Sequence, residues 1–133
     1  MRKIMKCALA AIAAVLLIVL YKVGSVYLAD SADYTQADWL EYKLLTPAEI
    51  KNAPLFSDVI VLRYRAADGP APQFNQIEYD GKAKVLEIQR YLVSLGYREK
   101  GDPVKGKRWV REQDNKSASV AQTGNATTLT FAD

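Results

Sequence analysis

Val85-Leu86-Glu87-Ile88-Gln89-Arg90-Tyr91-Leu92-Val93-Ser94-Leu95-Gly96 is the stretch on which the fold turns. Val85, Ile88, Leu92 and Leu95 recur at helical spacing and share one stripe, Leu86 and Val93 widen it, and Glu87, Arg90 and Ser94 lie opposite. Gly96 stands where a helix closes in a left-handed conformation. The pattern predicts a helix from Lys82 to Leu95 that must lay its stripe on an apolar surface.

Both flanks read as strands. Upstream, Ser57 to Ala66 alternates, with Ile60, Leu62 and Tyr64 on the buried face and Arg63 and Arg65 on the other. Ala67-Asp68-Gly69-Pro70-Ala71-Pro72 turns the chain, Gln73 to Tyr79 returns as the hairpin partner, and Asp80-Gly81 turns again. Downstream, Tyr97-Arg98-Glu99 leaves the helix extended. Lys107 to Gln113, Ser117 to Gln122 and Ala126 to Phe131 then form a meander, with Leu129 and Phe131 facing inward. The fold expected is α+β: a small antiparallel sheet of four to five strands with one main helix packed on one face.

Nearer the N-terminus, Thr46-Pro47-Ala48-Glu49 has the residues of a capping box and predicts a short helix ending near Asn52. Ala37 to Leu45 reads either way, its alternation favouring a strand. Ser31 to Gln36 is polar and reads as a tether.

The first residues are of another kind. Cys7 to Tyr21 carries no charge, Lys22 interrupts, and apolar character continues to Leu28 before Asp30 ends it. About 20 helical residues cross the hydrocarbon core of a bilayer, and Cys7 to Leu28 meets that length if the Lys22 ammonium snorkels to the far interface. Tyr21 and Tyr27 suit the same interface. Arg2, Lys3 and Lys6 precede the span and acids follow it, so the positive end stays cytoplasmic and the rest is exported. The organisation expected is a signal-anchor over 1–29, a tether over 30–36 and an exported domain over 37–133, in the bacterial inner membrane with the domain periplasmic. The rival is a cleaved signal peptide cut after Val23-Gly24-Ser25, against which Lys22 stands immediately upstream.

Composition narrows the chemistry. The chain holds 18 Lys and Arg, 15 Asp and Glu, no His, and one Cys, Cys7, inside the apolar segment. Exported residues therefore form no disulfide with one another, no Cys/His zinc site and no Ser-His-Asp or Cys-His nucleophilic centre. Beyond Asp33 bases and acids nearly balance, which lacks the basic footprint of a nucleic-acid binder. No cofactor and no metal are expected. Asp68 and Asp80 lie in turns and are more simply turn formers than catalytic acids.

Three features are candidate contacts for a partner. Arg63 and Arg65 flank the proline-stiffened loop carrying Asp68 and Pro70, which loses little entropy on docking. Trp109 shares a strand face with Lys107 and Arg111; Trp and Arg are common interface anchors, although core burial, with the bases snorkelling at its edge, is the favoured reading of Trp109. Residues 90–116 gather eight bases among four acids, while 30–52 lean acidic. The function expected is a membrane-anchored, non-catalytic binding protein, in its most concrete form an immunity protein that neutralises a secreted toxic effector. The alternatives are a bitopic accessory subunit of an envelope secretion, division or transport assembly, and a lipid- or glycan-binding sensor. The anchor is directly testable: the mature protein should keep residues 1–29 on N-terminal sequencing, and a mature N-terminus near Val26 would overturn it.

Overall fold

The computed structural model describes residues 1–82, 85–102 and 106–133. Seven strands form one antiparallel sheet: β1 (Ser31–Tyr34), β2 (Val59–Arg65), β3 (Phe74–Asp80), β4 (Arg98–Asp102), β5 (Gly106–Arg111), β6 (Lys116–Thr123) and β7 (Ala126–Ala132), in the order β1-β2-β3-β7-β6-β5-β4. The α+β class is as expected, but there are seven strands rather than four to five. The two additions are the sheet edges. β1 lies in the stretch read as a tether and pairs with β2 from Ser31↔Arg65 to Tyr34↔Leu62. β4, Arg-Glu-Lys-Gly-Asp, has no apolar side chain, so only backbone pairing with β5 makes it a strand. Charged side chains on an edge strand also discourage pairing with another chain.

The helices are α1 (Arg2–Tyr27), α2 (Trp39–Leu45), α3 (Ala48–Lys51) and α4 (Val85–Ser94). α2 decides the ambiguous stretch 37–45 for helix, against the strand that its alternation favours. The Asp38 carboxylate accepts from the Thr35 N–H at 2.9 Å and closes a turn, and the Asp38 carbonyl accepts from the Tyr42 N–H at 2.9 Å to begin the helix. Leu40, Tyr42, Leu44 and Leu45 are then half-buried. The capping box does not form either. Thr46 is buried and shares a 2.8 Å hydrogen bond with the Tyr34 hydroxyl, while Glu49 turns to two basic side chains described below.

The inner face of the sheet carries the core, in which Leu62, Ile77, Tyr79, Trp109, Ala118, Leu129 and Phe131 meet Ile88 and Leu92 of α4. The α4 stripe is narrower than expected: Ile88 and Leu92 are sealed, but Leu86 and Val93 are exposed. Gly96, at φ 93°, ends the helix in the region that favours glycine, and the Tyr97 N–H returns to the Leu92 carbonyl at 3.0 Å. The expected helix start, Lys82, is a bend; residues 83–84 lie outside the described residues, and helix is described from Val85.

β2 departs from its pattern at one point. Its register against β3 shifts between Val59 and Val61. That bulge turns Ile60 outward, 46% exposed, and gives its place on the core to Val59. One extra residue on one strand reverses the alternation beyond it.

α1 runs for 26 residues, contains an 18-residue window with a mean hydropathy of 2.5, and is long and apolar enough to cross a membrane by length and composition. Its side chains are exposed except at Val23, Gly24 and Val26, which are half-buried where α2 packs on the last turns.

The bulge makes a paired prediction. Leu62→Ala should cost about 2–5 kcal/mol, as for a sealed core leucine, whereas Ile60→Ala should stay within about 1 kcal/mol. Denaturant midpoints at unchanged slope measure both, and equal losses would put Ile60 in the core.

Candidate functional site

Two polar clusters stand on opposite faces of the sheet. On the outer face, alternation along β2 puts Arg63 and Arg65 beside β1 and β3. Arg63 Nη1 donates to Glu78 Oε2 at 2.6 Å and Gln76 Oε1 at 3.2 Å, and Arg63 Nε lies 3.8 Å from Asp33 Oδ2. Arg65 Nη1 donates to Asp33 Oδ1 at 2.8 Å and to the Tyr64 carbonyl at 2.8 Å. Gln76 Nε2 carries the chain of contacts to Thr130 Oγ1 on β7 at 2.9 Å. The Asp33 pairs are solvent-facing and contribute little to stability, whereas Arg63–Glu78 is part-buried; together they fix the direction of two guanidinium groups.

The loop beyond Arg65 is stiff. Asp68 and Ala71 exchange backbone hydrogen bonds of 3.0 and 2.9 Å around Gly69-Pro70. Gly69 takes φ 55°, which a side chain would strain, and the Pro70 ring fixes its own φ. At the root of the loop the Ala66 N–H donates to the Asp30 carbonyl at 2.8 Å. Between loop and strand start lies an open cleft of about 510 Å³, lined by Asp30, Arg65, Asp68, Ala71, Pro72 and Phe74 among others.

The second cluster is built around Arg111 at the end of β5, on the helix-covered face. Its Nη2 donates to Asp114 Oδ2 at 2.7 Å and Glu49 Oε1 at 3.2 Å, its Nε to Asp114 Oδ1 at 3.0 Å, and its Nη1 to the Leu95 carbonyl at 3.1 Å. The guanidinium also lies over the Tyr97 ring, 4.8 Å from its centroid. One side chain thus ties α3, the end of α4, the entry to β4 and the β5–β6 turn. Lys116 Nζ stands 3.9 Å from Glu49 Oε1 and 3.7 Å from Asp133 Oδ1. The Tyr91 hydroxyl donates to the Glu49 carbonyl. Hydrogen bonding to Arg111 holds the Asp114 carboxyl below its usual range. Burial pushes the Tyr97 phenol up to about 12, partly offset by Arg111.

The six residues singled out in the sequence therefore divide. Arg63, Arg65, Asp68 and Pro70 lie together at one edge of the sheet. Trp109, 6% exposed, and Arg111 lie on the other face, four strands or roughly 19 Å across. Trp109 is a core residue and Arg111 is engaged within the domain. The bases of 90–116 do not form one face either. Arg98, Lys100 and Arg108 share the outer side of β4 and β5 by alternation, Arg90 is exposed on α4, and Arg111 and Lys116 belong to the inner cluster; Lys105 lies outside the described residues. Among the described residues no group of three or more His, Cys, Asp or Glu side chains could hold a metal ion. Compared with family models, with curated proteins and with solved structures, the chain has no significant match.

The acids that organise both clusters, Asp33, Glu49, Glu78 and Asp114, were not legible as partners, because each meets its arginine from another element or across a turn. Only the alternation of Glu78 against Arg63 on paired strands carried a usable signal.

Arg111→Ala should lower stability by about 2–3 kcal/mol in denaturant melts, since it leaves partly buried Glu49 unpaired. Arg111→Lys should recover little of this, because an ammonium supplies neither the fork nor the flat stack on Tyr97. The sign with pH follows from the lowered Asp114 carboxyl. Its contribution is full above the unfolded-state value and is lost as pH falls through the folded one. Asp114→Asn should therefore flatten the acid limb of the stability profile, and an unchanged limb would remove Asp114 from it.

Proposed function

We propose that the chain is a membrane-anchored, non-catalytic binding protein of the bacterial envelope, holding its domain on the periplasmic side of the inner membrane. The observation that carries this reading is the join between α1 and the domain. α2 packs on the last turns of α1, and β1 pairs with β2 four residues after α1 ends. A domain docked in this way stays beside the membrane at high local concentration and in one orientation, which suits stoichiometric capture of a partner arriving there. The charge asymmetry around the span, Arg2, Lys3 and Lys6 before it and acids after it, supports that side.

The chemistry points the same way. Asp33, Glu49, Glu78 and Asp114 are each paired with arginine. Carboxylates engaged in such pairs serve to fix the direction of the arginines beside them. The contact region we favour is Arg63, Arg65, Asp68 and Pro70, and the concrete form is an immunity protein that occludes a toxic effector acting at the membrane or cell wall. The full chain, extracted in mild detergent, should retain a secreted protein effector and protect cells from it. Arg65→Ala with Asp68→Ala should weaken that complex at least tenfold, about 1.4 kcal/mol. Retention of no protein, together with no protection from any effector encoded beside it, would sink the reading.

The same join also favours a second reading, a bitopic accessory subunit whose span makes specific helix contacts in an envelope assembly. Because Val23, Gly24 and Val26 belong to the packed junction, the discriminating exchange replaces residues 1–22 alone. Capture of an effector should survive that exchange, whereas an assembly subunit should lose function.

A further inference from the structure

The cleft beside Asp30 lies at a definable depth if α1 crosses a bilayer, and this inference rests on that part of the proposed function. Counting about 20 residues from Cys7 brings the hydrocarbon edge near Val26. The headgroup layer beyond it is roughly 5–7 Å thick on each side. α1 ends at Tyr27, and Asp30 follows within three residues, so Asp30 falls inside that layer. The Ala66 N–H bond to the Asp30 carbonyl, 2.8 Å long, holds the root of the 66–72 loop at the same level.

What lines the cleft is neither a plain acidic cluster nor a basic patch. Its lining includes two acids, Asp30 and Asp68, one base, Arg65, and the aromatic Phe74. Arg65 makes its hydrogen bonds through Nη1, to Asp33 and two backbone carbonyls, so among the described residues Nη2 and Nε make none. Neither Asp30 nor Asp68 has an ion pair among the described residues. Fixed charges of both signs, a few ångströms from a bilayer surface, complement a ligand that carries both signs on a short linker.

We propose that the cleft of Asp30, Arg65 and Asp68 binds the phosphoethanolamine headgroup of a membrane lipid, phosphate toward Arg65 and ammonium toward the two carboxylates. A guanidinium matches phosphate oxygens in geometry as well as charge. A primary ammonium gives three N–H donors to carboxylates, whereas the trimethylated ammonium of choline has none. The stiff Asp68–Ala71 turn lowers the entropy lost when the headgroup is clasped. Headgroup binding would pin the domain face-on to the membrane and leave the exposed Pro70 tip directed along it.

The test uses the full chain reconstituted into vesicles with equal phosphatidylethanolamine and phosphatidylcholine and a minor share of phosphatidylglycerol. The protein is re-extracted in mild detergent, and the lipids that accompany it are counted by mass spectrometry. The expected result is at least threefold enrichment of phosphatidylethanolamine over phosphatidylcholine. It should return to the bulk ratio in Asp68→Asn and Arg65→Gln, and also in Ala67→Trp, which fills the cleft without altering a charge. Leu86→Ser on the exposed side of α4 should leave it unchanged. A bulk ratio in the unaltered protein, enrichment of phosphatidylglycerol instead, or enrichment that persists in all three cleft variants would overturn the assignment. Alkaline extraction separates this from the anchor reading. Release of the chain at high pH overturns both, whereas a chain that stays in the membrane without headgroup preference overturns the headgroup site alone.

Discussion

The pairing of β3 with β7 is the contact that makes one domain of two halves. The chain builds β1, β2 and β3 in order, crosses the sheet through α4 to the far edge, and returns through β4, β5 and β6 until β7 lies against β3. The seam runs for seven residues from Phe74↔Ala132 to Asp80↔Ala126. On its inner side Ile77 faces Leu129, Tyr79 faces Thr127 and Asn75 faces Phe131, so the deepest part of the core sits on the line where the halves meet. α4 is held by the same line, with Ile88 and Leu92 fully enclosed above it. Because these contacts join residues about fifty positions apart, they form only after long loops close.

The domain uses its arginines in two distinct ways. Arg111 is a brace, tying three connections that the seam does not reach. Its bonds to a backbone carbonyl and two carboxylates, with the stack on Tyr97, use the whole guanidinium. Arg63 and Arg65 instead lie on an open face, where high dielectric makes their pairs weak but their directions fixed. The first arrangement supports the fold, while the second presents a shaped, charged surface. Surface pairs that contribute little to folding can be exchanged for other charges at small cost, and the Arg65–Asp33 pair at the sheet edge is of that kind.

The junction of α1 with the domain joins the two ends of this account. Anchors are commonly joined to their domains by flexible segments, which leave orientation free. In this chain β1 begins four residues after α1 and is already part of the sheet, and α2 folds back onto the end of α1. The cleft, the loop and the Arg63–Arg65 face therefore keep a constant relation to the end of α1.

Much of this was legible in the residues. The long uncharged run after Lys6, the four apolar positions of α4 and the alternation of β2, β3, β6 and β7 follow from periodicities that burial imposes locally. The missing His and the position of Cys7 bound the chemistry outright. Other features have no local cause. β1 and β4 are strands because a neighbour supplies hydrogen bonds: the alternation of Ser31-Ala32-Asp33-Tyr34 is only four residues long, and Arg-Glu-Lys-Gly-Asp shows no apolar alternation. α2 is a helix because its apolar side chains find α1 and the core, against an alternation that suits a strand equally. Ile60 faces outward because a bulge moves the register, and Glu49 leaves its capping box because Arg111 stands within reach. Sequence alone determined which segments must bury a face and which charges a membrane would sort. Tertiary structure alone decided which edges are paired and which acid meets which arginine, because backbone hydrogen bonds and ion pairs depend on distance in space and leave no period in the chain.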